Sequence, residues 1–292
     1  MLRPIWFFAL VVLTASNLCA EAFLPPIFLA DRTVEYRPGN LPIVVGAPHG
    51  GKMTVPEIPD RTSGVRQSDV DTDLLARALG DALQRQTGAS PHLIICHLKR
   101  SKVDCNRDAL TGTGGNPQAQ ATWQAFHEAI AKARARAGRG VYLDLHGHGH
   151  PDPRVEIGYL LSGDQLRLQG EAFEKLASVS SLAGLARKTG TRFEDLVRGP
   201  QSLGALLEAQ GFLSVPSPSR PSPGGQPYYP GGFNTERYRT GNGFLSLQIE
   251  CPRPGIRDTE TNRERFAEAL AKALLRFLET HADLSLQGAV TR

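Results

Sequence analysis

Cysteine is scarce in this chain. Four cysteines in 292 residues (Cys19, Cys96, Cys105 and Cys251) are too few for a disulfide scaffold, and their spacing matches no zinc ribbon. Beyond the N-terminal segment at most one bridge can form. Cys105 and Cys251 are the pair to consider, although buried thiols are the expected state. Also missing is any basic run interleaved with aromatics. The net charge of +4 and pI near 9.0 suit anionic substrates, but the basic residues alternate with acids along the expected helices, which argues against nucleic acid as a partner. No apolar run is long enough to span a bilayer. The longest near the start, Ile5 to Thr14, follows Arg3 and precedes the small residues Ala20 and Ala22, so residues 1–22 read as an export signal and the remainder as a periplasmic or secreted protein. Ser16-Asn17-Leu18 ahead of Cys19 lacks the small residue that lipidation requires. There is no internal repeat.

What the chain does contain is an alternation of short β-branched runs with amphipathic stretches. Strands are expected over 42–47, 92–98, 140–145, 155–161 and 243–250, and helices over 71–86, 118–137 and 259–278. A mostly helical stretch over 165–210 is broken at Gly190 and Pro200. This pattern predicts one α/β domain over 23–292 with a mixed, mostly parallel sheet flanked by helices. The proline- and glycine-rich segment 215–232 is too long for an ordinary connection and reads as a loop bordering the functional site.

Four short motifs fall at or just after expected strand ends, where open α/β sheets gather ligands. They are Pro48-His49-Gly50-Gly51, Val103-Asp104-Cys105-Asn106-Arg107, Asp144-Leu145-His146-Gly147-His148 and Gln248-Ile249-Glu250. Two histidines, a guanidinium beside an amide and a carboxylate closing an apolar strand are the parts needed to hydrolyse an amide with the help of a metal ion. A carboxylate at the end of an apolar strand is costly unless paired or working, so Glu250 is the expected general base.

In that order, and with Pro230-Gly-Gly-Phe-Asn-Thr235 ahead of Glu250, the motifs resemble the N-formylglutamate amidohydrolase family and its wider relatives, the zinc carboxypeptidases. The resemblance spans roughly residues 40–258. It implies a zinc carboxypeptidase-like fold and one Zn²⁺ ion held by His49 and His146. The carboxypeptidase pattern places a glutamate three residues after its first histidine, and this chain has none there, the stretch reading Gly51-Lys52-Met53. The third ligand is therefore expected from Ser68-Asp69-Val70-Asp71-Thr72-Asp73, which is similar to the helix entrance of the amidohydrolases. Asp69 is the choice, with Asp71, Asp73 and Glu57 as rivals. By the same resemblance Asp104 orients His49 by accepting its second ring N–H, Asn106 and Arg107 hold a substrate carboxylate, and Arg100 stabilises the oxyanion. His148 and His150 line the pocket, and Tyr228, Tyr229 and Tyr238 are weaker candidates for contacting substrate.

The activity so implied is cleavage of a C–N amide bond in an N-acyl or N-formyl amino acid, or in a short peptide bearing a carboxylate. A metallocarboxypeptidase or cell-wall amidase is the alternative, and a non-catalytic carboxylate-binding module a further one.

Overall fold

A computed structural model describes residues 24–239, 243–284 and 286. The expected export signal over 1–22, with Cys19, lies outside the described residues. An eight-stranded sheet runs in the order β1-β2-β4-β3-β5-β8-β6-β7. Its strands are β1 Ile27–Leu29, β2 Val34–Arg37, β3 Ile43–Ala47, β4 His92–Cys96, β5 Gly140–His148, β6 Val155–Gly158, β7 Ser214–Val215 and β8 Phe244–Pro252. The central strands β4, β3, β5 and β8 are mutually parallel, while β2 and β6 flank them antiparallel. The α/β class with a mixed, mostly parallel sheet flanked by helices is therefore as expected.

The helices are α1 Thr72–Thr87, α2 Ala109–Thr113, α3 Pro117–Ala137, α4 Gly170–Glu174, α5 Ala183–Thr189, α6 Phe193–Arg198, α7 Leu203–Glu208, α8 Phe233–Tyr238 and α9 Glu260–Ala282. Their ends follow local chemistry. Asn116 Oδ1 accepts from two backbone N–H groups at the start of α3, with Pro117 in the first turn, and Thr259 caps α9 through Asn262 N. Gly190 in a left-handed conformation ends α5, and α6 stops at Arg198 just before Pro200. None of the described helices is long and apolar enough to cross a membrane.

Two separate cores lie on the two faces of the sheet. Leu75, Leu79 and Leu83 of α1 and Phe266, Leu270 and Phe277 of α9 pack against Val45, Leu143, Leu145, Leu247 and Ile249. Phe126 and Ile130 of α3 pack against Val44, Ile94 and Tyr142 on the other face. Since successive strand residues point to opposite faces, Tyr142, Asp144, His146 and His148 share the face that carries Ser246, Gln248 and Glu250, and the apolar residues between them fill the first core. Cys251 belongs to the first core and Cys105 to the second. The sheet separates them, and Cys96, Cys105 and Cys251 are all free, buried thiols.

Two departures from expectation stand out. The first is the β1–β2 hairpin at the sheet edge, which sequence reading missed. Its strands are only three and four residues long, and β2 carries Glu35, a buried acid that breaks any apolar pattern. Burial opposes the charge on Glu35, but bonds from Arg77, His97 and Arg37 hold its pKa far below the carboxylate range. The second is strand length. β5 and β8 stay paired as far as His148 and Pro252, beyond the expected ends at 145 and 250. His146 thus sits within a strand rather than in the loop after it, and Glu250 lies two residues before the end of its strand, which fixes their direction more firmly than a loop would.

Candidate active site

Register places a row of polar side chains across three neighbouring strands. His146 of β5 pairs with Glu250 of β8, which pairs in turn with Glu156 of β6. On the other side of β5, the loop after β3 delivers His49, which is wholly buried. The backbone of that loop also sets the third component, because Asp69 N–H donates to His49 O at 3.0 Å. Asp69 is then held on its C-terminal side, its carbonyl accepting from Thr72 N and, at 2.8 Å, from Thr72 Oγ1 as α1 begins.

These constraints bring His49 Nδ1, His146 Nδ1 and Asp69 Oδ2 together. The two nitrogens are 3.1 Å apart, and the carboxylate oxygen lies 3.3 Å from His49 Nδ1 and 3.0 Å from His146 Nδ1. The outer ring nitrogens face carboxylates. His49 Nε2 lies 2.7 Å from Asp104 Oδ1, and His146 Nε2 lies 2.9 Å from Asp144 Oδ2, although the latter contact is poorly aligned for a hydrogen bond. Carboxylates there favour protons on the outer nitrogens and leave lone pairs on both Nδ1 atoms. Three lone-pair donors this close repel one another unless a cation lies between them. Donors on a tetrahedral ion at ~2.0–2.2 Å would sit about 3.3–3.5 Å from each other, close to the spacing found. His146 makes the same point electrostatically. Burial disfavours its charged form, yet Asp144, Asp69 and Glu250 outweigh burial and raise its pKa well above the usual histidine value. Positive charge is favoured here, and a metal ion could supply it.

The surrounding residues hold this arrangement in place. Asp104 accepts from His49 and from Asn106 N through Oδ1, and from Arg100 Nε at 3.1 Å through Oδ2. Burial would raise its pKa, but His49 and Arg100 keep it well below the carboxylate range. Arg100 reaches Asp69 Oδ1 at 3.3 Å through Nη1, leaving Nη2 without a partner among the described residues. Asn106, expected to bind substrate, has its Oδ1 engaged by the protein. Its Oδ1 accepts from Asn234 N at 2.8 Å, and its Nδ2 lies 3.2 Å from His146 Nε2. Asp144 is fixed by Tyr142 OH at 2.8 Å and Asn234 Nδ2 at 3.1 Å.

A cavity of about 520 Å³ opens over this cluster, a volume suited to a small molecule. Asp69, His146 and Glu250 form part of its floor, and Arg100, Arg107 and Tyr229 part of its wall. The Arg107 side chain is exposed and makes no ion pair among the described residues. Burial pushes the Glu250 carboxyl up to about 8, against the lowering influence of His146. Its Oε1 accepts from Gln248 Nε2 at 3.1 Å, and its Oε2 is buried with no partner among the described residues. Tyr229 is held at the rim by its backbone N–H, which donates to Glu156 Oε2 at 2.9 Å, and by stacking on His150. The 215–232 segment thus borders the site as expected.

The remaining candidates fall elsewhere. Asp71 begins α1 and pairs with Lys52 and Arg253, Asp73 lies in the first turn, and Glu57 is exposed. None of the three enters the His49–Asp69–His146 group. His148, His150 and Glu156 form a second cluster, but its bonding is closed. His148 donates to Arg154 O and accepts from His150 N, while Glu156 is bonded by His150 and paired with Arg154. Tyr228 is spent on Ile157 O and Tyr238 on His127. Sequence reading gave no role to Asp144, Asn234, Glu156 or Arg257. Only Asp144 carried a usable signal, being two residues before His146 and so on the same face of a strand.

No protein-family model matches the chain, and no curated protein does. Solved structures that resemble it include N-formylglutamate amidohydrolase from Ralstonia eutropha JMP134, at 16% identity over 83% of this chain and 95% of that one, with a TM-score of 0.48. Succinylglutamate desuccinylase from Chromobacterium violaceum matches at 12% identity over 83% of this chain and 67% of its own, with a TM-score of 0.36. The N-acetylmuramyl-L-alanine amidase Ami1 from Mycobacterium smegmatis matches at 14% identity over 82% and 97%, with a TM-score of 0.33. These likenesses concern the course of the chain, so the chemistry has to be read from the side chains.

Proposed function

We propose that this protein is a metal-dependent hydrolase that cleaves the C–N amide bond of an N-acyl or N-formyl amino acid, or of a short peptide bearing a carboxylate. The observation that carries the reading is the convergence of His49 Nδ1, His146 Nδ1 and Asp69 Oδ2 on one point beside a buried carboxylate, Glu250, one oxygen of which has no partner among the described residues. Two imidazoles and one carboxylate are a donor set suited to zinc. A zinc ion bound there supplies Lewis acidity, polarising the scissile carbonyl and making water a better nucleophile.

The protein's own groups do the rest. Glu250 takes the proton of the attacking water and delivers it to the leaving nitrogen. Its raised pKa makes the ionised carboxylate a stronger base than an exposed one, and the proton it takes up is still acidic enough to pass to an amine. The free Nη2 of Arg100 donates to the carbonyl oxygen as negative charge builds on it. Arg107 anchors the substrate carboxylate. Asn106 lines the cavity beside Arg107, with its backbone N–H donating to Asp104 Oδ1 and its Oδ1 accepting from Asn234 N. An exported location, read from residues 1–22, is part of this proposal.

The test is amine release from a panel of N-formyl and N-acyl amino acids and short peptides, with and without a chelator. Chelator-sensitive release supports the reading. Silence across the panel from a folded, zinc-loaded protein would defeat it. Within that assay, Arg107→Ala is expected to raise KM by roughly 10–100-fold with little change in kcat, the loss of a charge-assisted pair made equally in ground and transition states. Arg107→Lys should recover only part of the loss, because lysine lacks the planar fork.

A further inference from the structure

Arg257 is 3% exposed and makes no ion pair among the described residues. All of its nitrogens donate to backbone carbonyls. Nε reaches Cys251 O at 3.1 Å, Nη2 reaches His148 O at 3.3 Å, and Nη1 donates to Val70 O. A buried guanidinium carries a large desolvation cost and is ordinarily matched with a carboxylate. This one is matched instead with three carbonyls from three separate segments.

The choice of carbonyls is informative. Val70 directly follows Asp69, Cys251 directly follows Glu250, and His148 lies two residues beyond His146. One planar group therefore ties together the chain beside two of the three converging donors and beside the buried carboxylate. The same contact accounts for a glycine in the Asp-Leu-His-Gly-His motif. A Cβ at Gly147 would lie 2.3 Å from the Arg257 guanidinium carbon, so the close approach of the guanidinium to β5 requires glycine there.

We propose that Arg257 is a positioning residue, which sets Asp69, His146 and Glu250 relative to one another by clamping the backbone next to each. This rests on the functional reading above, in which those three side chains act at one point. The clamp needs the fork of a guanidinium, because lysine has a single ammonium that cannot address three carbonyls in a plane. It is also sensitive from the opposite side, because Gly147→Ala pushes on the guanidinium without removing it.

The experiment compares wild type, Arg257→Lys and Gly147→Ala by zinc affinity, by amide hydrogen exchange and by the split between kcat and KM. In both variants zinc affinity is expected to fall about tenfold, at the low end of what outer supports of a metal site contribute. Exchange should quicken together in the segments around residues 70, 148 and 251 while the rest of the sheet stays protected, and kcat should fall more than KM rises. Wild-type zinc affinity and exchange in Arg257→Lys would overturn the proposal, as would loosening of one segment alone. A variant that unfolds outright also counts against it, making Arg257 a support of the whole fold rather than of the site. If the wild type neither binds zinc nor hydrolyses the panel, yet the three segments loosen together, the clamp stands and the hydrolase reading falls.

Discussion

Replacing Glu250 with glutamine is expected to lower kcat by roughly 10²–10⁴-fold, the usual contribution of a positioned general base, while the protein keeps its zinc. Glutamine preserves the shape and can still bond Gln248, so what disappears is the ability to take a proton. Metal content measured beside the rate separates this result from simple loss of the ion. The pH dependence sharpens it. Glu250 acts as a base only when ionised, and burial pushes its pKa up to about 8, so kcat/KM should climb with pH as the carboxyl loses its proton. A cation held by the neighbouring triad lowers that pKa, placing the climb below about 8 in the zinc-loaded enzyme. The climb should be missing from Glu250→Gln.

The same carboxyl predicts an opposite effect on stability. Its folded pKa lies above the ordinary value of 4.5, so the protonated form favours the native state. That contribution is fully present below about 4.5 and is lost as pH rises through about 8. In the metal-free protein, Glu250→Gln should therefore melt higher than wild type above pH 8 and show a much smaller advantage at pH 5. A gain in stability joined to a loss of rate is the signature of a group retained for chemistry. If the variant were inactive and also less stable at every pH, Glu250 would be a structural residue.

What the sequence could and could not reveal follows from how each feature is encoded. The alternation of strands and helices was legible because periodicity is local, as were the four motifs, because His49, Asp104, His146 and Glu250 each close a recognisable run. Asp69 could be picked from its helix entrance, but its separation from Asp71 and Asp73 depends on the left-handed turn at Asp71, which aims neighbouring side chains apart. Asn106 and Arg107 were grouped as one anchor because they are adjacent. Both line the cavity, but Asn106 Oδ1 is taken by Asn234 N while the Arg107 side chain is exposed. The role of Arg257 had no readable trace at all. Its partners are carbonyls, which every residue type carries, and they lie 187, 109 and 6 positions away.

The other large effect concerns the ion itself. Adding zinc to the metal-free protein is expected to raise its melting temperature, since a ligand at 100 times its Kd stabilises by about 2.7 kcal/mol, or about 5 °C for a chain of this size. His146→Ala should abolish the rise, because it removes one of the three donors that converge there. The shift should also grow with pH. In the absence of metal, a proton on His146 supplies the positive charge that the site favours. Its folded pKa lies well above the ordinary 6.5, so that stabilisation is complete below about 6.5 and is lost as pH rises through the raised value. Zinc competes with the proton at low pH and replaces a missing charge at high pH. Calorimetry across pH 6 to 9 with and without zinc reads this directly. A shift that persists undiminished in His146→Ala would place the ion somewhere other than between His49, Asp69 and His146.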